Sequence, residues 1–138
     1  DNICGGNSRF HGSQGSSVLK LFGLTAASTG INEKAAQAAG ITYDKVVLFP
    51  ASHATYYPGA QSMAMKVLYE KETLRLLGAQ IVGREGADKR IDVLATAIRA
   101  GMTALELTEL DLAYAPPYSS AKDPANMAGF MIEDLESV

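Results

Sequence analysis

Ser62-Met-Ala-Met-Lys-Val-Leu-Tyr-Glu70, followed through Lys71-Glu-Thr73 by Leu74-Arg-Leu-Leu-Gly-Ala-Gln-Ile-Val82, reads as two strands in immediate succession. Met63, Met65, Val67 and Tyr69 alternate with Ala64, Lys66, Leu68 and Glu70, so an extended chain here presents one apolar face and lies half buried. The short charged connection makes an antiparallel hairpin the simplest pairing, with its register left open because no Asn-Gly or Asp-Gly turn is present. Residues 83–88 then lead into a helix in which Ile91, Leu94, Ala95 and Ile98 recur at helical spacing and Gly101 gives the stop.

Upstream, the runs 18–22 and 24–28 meet at Gly23 as two strands joined by a tight turn or bulge. Asn32 caps a short connecting helix over 33–39, with Glu33 near the positive end of its dipole and Gly40 at its exit. Residues 46–49 form a further strand, stopped by Pro50. Downstream, Thr103 caps a helix over 103–110, and Asp123-Pro124 opens another that runs to about residue 134. Strands fill the first half and helices the second. The fold class expected is therefore α+β, a single domain with an antiparallel sheet of about five strands covered on one side by helices. The helical Ile, Leu and Met positions are read as packing residues.

With 138 residues and 47% hydrophobic content, the chain is long enough to hide roughly two-thirds of its unfolded surface around one core. A net charge of −3 and a pI near 5.3, with scattered Lys and Arg, give no basic field for nucleic acid or an anionic membrane. No apolar run approaches about 18 residues and no leader pattern opens the chain, so a soluble, cytoplasmic protein is expected. The single Cys4 excludes an internal disulfide, and with two histidines it cannot fill a four-ligand Cys/His zinc site. No His, Lys or second Cys neighbours Cys4 in sequence, and it is read as incidental. Thirteen glycines include no Gly-x-Gly-x-x-Gly and no phosphate loop, so no dinucleotide is bound by the usual device. Asp88, Lys89, Arg90 and Asp92 read as a solvated helix start. The chain opens at Asp1, and residues 1–6 resemble a helix tail closed by glycines, as expected if it begins mid-protein.

Candidate chemistry lies in two loops. In Tyr114-Ala-Pro-Pro-Tyr-Ser-Ser-Ala-Lys-Asp-Pro-Ala-Asn-Met127, Pro116 and Pro117 fix φ and restrict the residues before them, and Asp123-Pro124 starts the next helix. Tyr114 and Tyr118 are thus held on a stiff loop between packed elements, where binding and chemistry tend to sit. Ser52-His-Ala-Thr-Tyr-Tyr-Pro-Gly59 is a second polar and aromatic loop. Ser52-His53 is not a triad, and a lone loop histidine is more commonly a structural hydrogen-bonding group. If the backbone is extended, Tyr56 and Tyr57 face opposite ways, so only one of them can share a surface with Tyr114 or Tyr118.

Gly15-Ser-Ser-Val-Leu-Lys-Leu-Phe, Leu24-Thr-Ala-Ala-Ser-Thr-Gly-Ile-Asn-Glu, His53-Ala-Thr-Tyr-Tyr-Pro-Gly, Gly78-Ala-Gln-Ile-Val-Gly, Lys89-Arg-Ile-Asp-Val-Leu-Ala-Thr-Ala-Ile and Leu112-Ala-Tyr-Ala-Pro-Pro-Tyr-Ser together carry a resemblance. They are similar to the C-terminal dimerisation domain of the FAD-dependent pyridine nucleotide-disulfide oxidoreductases. The branch is that of coenzyme A-disulfide reductase, NADH oxidase and NADH peroxidase, and the likeness runs over about 12–130.

This resemblance implies a homodimeric parent enzyme whose own N-terminal flavin and nucleotide domains hold FAD and NAD(P)H. Residues 1–11 would then be the tail of the flavin domain and 12–134 the globular core. The redox cysteine would lie in the absent part, since Cys4 does not match its motif, and the fragment alone would bind no cofactor and be inactive. Glutathione reductase relatives carry His-Pro-Thr-x-x-Glu where this chain reads Tyr-Ala-Pro-Pro-Tyr-Ser. The resemblance instead implies tyrosines reaching into the partner subunit's site, which by motif position are Tyr56 and Tyr114; His53, Tyr57 and Tyr118 of the same two loops are the further candidates to line it. It leaves room for a rhodanese module after residue 138. Coenzyme A disulfide, persulfide, peroxide and oxygen are not distinguished as acceptors, nor NADH from NADPH. The rival reading is a stand-alone, non-catalytic interaction domain with the tyrosines as interface anchors.

Overall fold

Five strands, β1 (Ser17–Leu21), β2 (Leu24–Gly30), β3 (Tyr43–Leu48), β4 (Ala64–Glu70) and β5 (Leu76–Gly83), build one antiparallel sheet in the order β1-β2-β5-β4-β3. Four helices accompany it: α1 (Glu33–Ala38), α2 (Ala87–Ala100), α3 (Ala104–Thr108) and α4 (Pro124–Glu136). The structure is a computed structural model and describes residues 2–137. The architecture is the α+β arrangement expected. The glycine-closed N-terminal segment is a single turn, Asn2–Cys4, with Gly5 at φ 86°; Asp1 lies outside the described residues.

The β4–β5 hairpin pairs Met65 with Ile81 and Val67 with Ala79, then slips after Leu68 so that Tyr69 faces Leu76. That slip moves the start of β5 to Leu76, two residues later than the sequence suggests. Leu74 is the cause: it takes a left-handed φ of 59° and its N–H closes the turn onto the Glu70 carbonyl at 2.8 Å. Rows of residues cross the sheet on one face, Leu48-Met65-Ile81-Ala27 and Val46-Val67-Ala79-Thr29, and all eight are buried. Helix α2 covers β5 and β2, while α4 lies against β3 and α3. Ile91, Leu94 and Ala97 of α2, Leu107 of α3, and Ala125, Ala128 and Ile132 of α4 close the core. The buried face of α4 is thus built of small residues and one isoleucine, and Leu105 of α3 and Met131 of α4 are exposed, against the expectation that the helical Ile, Leu and Met positions pack.

The other face of the sheet is covered only in part. Helix α1 is more than a connector: Glu33 in its first turn bonds Lys45 of β3 and Lys66 of β4, the latter at 2.8 Å. Leu68, on this same face, is fully buried, so the strict alternation expected along β4 is broken. Toward β1 the face is bare, with Leu19, Leu21, Leu24 and Val82 exposed. Gly78 of β5 is dictated by close approach rather than by φ. A Cβ there would lie 1.9 Å from the Ile31 carbonyl oxygen, where the chain leaves β2.

Candidate functional site

Sheet order decides the site. Because β3 and β4 are neighbours, the 49–63 loop between them emerges beside the segment that joins α3 to α4. The Ala54 N–H donates to the carbonyls of Pro116 at 3.2 Å and Ser119 at 3.0 Å, stitching the loops together. Around the prolines, the N–H groups of Tyr118 and Ser119 both return to the Ala115 carbonyl, at 2.9 and 3.1 Å, so the loop is a closed turn. The 52–59 loop also turns on itself, Tyr57 N–H reaching the Ala54 carbonyl at 2.9 Å, instead of running extended.

These two turns bring Tyr56 Oη and Tyr114 Oη to 2.9 Å from one another across 58 residues of sequence. Both rings are presented outward, Tyr56 75% and Tyr114 48% exposed. The hydrogen bond to Tyr56 pushes the Tyr114 phenol above its ordinary value, and desolvation adds to the effect. Two phenols sharing one hydrogen bond leave one outward O–H free to donate.

His53 is buried, and both ring nitrogens are engaged. Nε2 lies 3.3 Å from the Pro58 carbonyl, which can only accept, so Nε2 carries the proton and Nδ1 accepts from Ser52 Oγ at 3.1 Å. Tyr57 stands edge-on to this imidazole, with centroids 5.8 Å apart, and not with the phenol pair. Tyr118 is exposed and joins Tyr114, His53, Lys89 and Pro117 around a cavity of about 490 Å³. Tyr114 and His53 also line a second cavity of about 310 Å³, with Tyr56, Thr55, Ala121 and Met127. Of the five residues singled out from sequence, the structure joins Tyr56 to Tyr114, His53 to Tyr57, and sets Tyr118 at the rim.

Arg90 was not foreseen. The solvated reading of the 88–92 cluster fails for it: Arg90 is 1% exposed, beneath the tyrosine loop, while Asp88 and Asp92 stay exposed. Helical spacing carried the signal, since 87, 90, 91, 94 and 97 are the buried positions of α2. Among the described residues the sheet is antiparallel throughout, with no parallel βαβ unit. Among the described residues, no group of three or more His, Cys, Asp or Glu could hold a metal ion.

Residues 17–125 match the dimerisation domain of the pyridine nucleotide-disulphide oxidoreductases. The chain belongs to this family. The match encloses the whole sheet, both tyrosine loops and the start of α4. The dimerisation domain is 43% identical over 127 residues to the coenzyme A disulfide reductase of Staphylococcus epidermidis, covering 91% of this chain and 28% of that protein. An NAD-dependent persulfide reductase from A. fulgidus superposes with a TM-score of 0.94 at 45% identity, over 99% of this chain and 25% of the other. Reduced Bacillus anthracis CoADR-RHD superposes with a TM-score of 0.91 at 47% identity, over 95% and 24%. The dimerisation domain therefore spans about a quarter of the length of the relatives it matches.

Proposed function

We propose that this dimerisation domain belongs to a homodimeric, FAD-dependent NAD(P)H oxidoreductase that reduces coenzyme A disulfide or a related persulfide. In this reading each subunit lends its Tyr56–Tyr114 pair to the partner's active site. Flavin, nicotinamide and the redox cysteine belong to the remainder of the parent, and the isolated domain is inactive. The carrying observation is the hydrogen-bonded, outward-facing phenol pair, and relatives named for coenzyme A disulfide and persulfide reduction support the substrate class.

The chemistry asks for such a pair. A cysteine thiolate of the parent attacks one sulfur of the disulfide, the new S–S bond forms as the old one breaks, and coenzyme A leaves as a thiolate. A phenol of pKa about 10 or higher, facing a thiol of about 8.5, would give up its proton at a cost of about 2 kcal/mol or more. Full transfer is uphill, so the phenol pair, through its one free O–H, serves as a hydrogen-bond donor to the developing thiolate, which takes its proton later from solvent. The bond to Tyr56 favours the neutral form of Tyr114 and raises its pKa, so the pair stays protonated with its internal hydrogen bond in place.

In the full-length parent, Tyr114→Phe is expected to lower disulfide turnover on the order of 10- to 100-fold, the scale of losing one preorganised donor. Flavin content and dimerisation should be unchanged. Assaying NAD(P)H consumption with coenzyme A disulfide, a persulfide, peroxide and oxygen in turn tests the acceptor, and wild-type turnover in the variant would end the assignment.

A further inference from the structure

The turn carrying Tyr114 and Tyr118 rests on a buried charge network that the function above leaves unused. Arg90, Ser119 and Asp123 are 1%, 1% and 3% exposed. The Arg90 guanidinium meets Asp123 side-on, Nε to Oδ1 at 3.4 Å and Nη2 to Oδ2 at 3.0 Å. Nη2 also donates to the Tyr118 carbonyl at 3.2 Å and to Ser119 Oγ at 3.3 Å, and Nη1 to the Gly86 carbonyl at 3.3 Å. Ser119 Oγ in turn donates to Asp123 Oδ2 at 2.7 Å. The Ser119 carbonyl takes the Ala54 N–H. Arg90 and the Tyr56 loop therefore hold the 118–119 segment from two sides. Space for the guanidinium is built in, because a Cβ on Gly86, itself at φ 78°, would stand 2.2 Å from Nη1.

We infer that Arg90 is a positioning residue for the phenol pair: it fixes the 118–119 backbone against which the Tyr114 and Tyr56 loops set their 2.9 Å hydroxyl contact. The inference rests on the proposed role of those phenols. Stability alone does not call for an arginine here, since replacing a buried ion pair by apolar residues of similar volume is often neutral or stabilising. A lysine offers a point charge instead of a planar fork and cannot meet the carboxylate, two carbonyls and a hydroxyl together.

The test is a double-mutant cycle in the full-length parent, comparing wild type, Arg90→Met, Tyr114→Phe and the double variant for kcat and KM with coenzyme A disulfide. Arg90→Met is expected to lower kcat about 10-fold in the wild-type background and less than about twofold in the Tyr114→Phe background, the non-additivity of residues acting as a unit. KM for NAD(P)H and flavin content should stay at wild-type values, and Arg90→Lys should not restore kcat. If Arg90→Met does not yield folded enzyme, Ser119→Ala keeps the Arg90–Asp123 pair and is expected to lose about threefold in kcat with the same dependence on Tyr114. Equal losses in both backgrounds, or full activity in Arg90→Met, would overturn the Arg90 inference and leave the phenols in place. Full activity in Tyr114→Phe would instead remove the phenol reading beneath it.

Discussion

Glu33 and Tyr114 are displaced from ordinary titration in opposite senses by their hydrogen-bond partners. The Lys45 ammonium, followed by that of Lys66, holds the Glu33 carboxyl down to about 2 from its usual 4.5. A depressed folded pKa contributes stability that is complete above the unfolded value and is lost as pH falls through the folded one. Glu33→Gln is therefore expected to flatten the acid side of the stability curve between about pH 4.5 and 2, read by urea midpoints at each pH. For Tyr114 the sign reverses: the hydrogen bond to Tyr56 favours the neutral phenol and raises its pKa. The residue identities at both sites were plain in sequence. The Glu33 partners were not, because Lys45 and Lys66 reach it only once β3 and β4 pair and α1 folds over their outer face.

Helix starts were the most legible elements, and their energetics differ according to what else the cap does. Thr103 and Glu106 form a capping box at an exposed helix start, so Thr103→Ala is expected to cost about 1 kcal/mol. Asp123 makes the same kind of cap at α4, accepting the Ala125 N–H at 3.1 Å, and is also the buried partner of Arg90. Asp123→Ala strands that guanidinium and is expected to cost about 3–5 kcal/mol. Equilibrium urea unfolding of both variants checks the contrast, and equal losses would mean that Asp123 acts only as a cap. Cap chemistry is written in three or four adjacent residues, which is why Asn32, Thr103 and Asp123 read correctly. The β4–β5 register was not written that way. It follows from Leu74 entering the left-handed region without a glycine, a conformation that the closed turn and the core beneath it hold in place.

As a whole, the molecule has one core, pressed between a single face of the sheet and helices α2 to α4, with the other face bare toward β1. Leu94, fully buried against the sheet, is expected to cost about 3–4 kcal/mol on change to Ala. Leu21→Ala, on the bare face, should stay within about 0.5 kcal/mol in the free chain. Thermal or urea unfolding measures both, and comparable losses would place a second core under β1. The sequence by itself determined the kinds and order of elements, their caps, the α+β class and the family, because periodicity, cap chemistry and short motifs are local properties. Only the tertiary structure decided the sheet order β1-β2-β5-β4-β3, the burial of Arg90, the tautomer of His53 and the meeting of Tyr56 with Tyr114. Each of these depends on which distant surfaces are buried together, and that is settled when the sheet's apolar face closes against its helices.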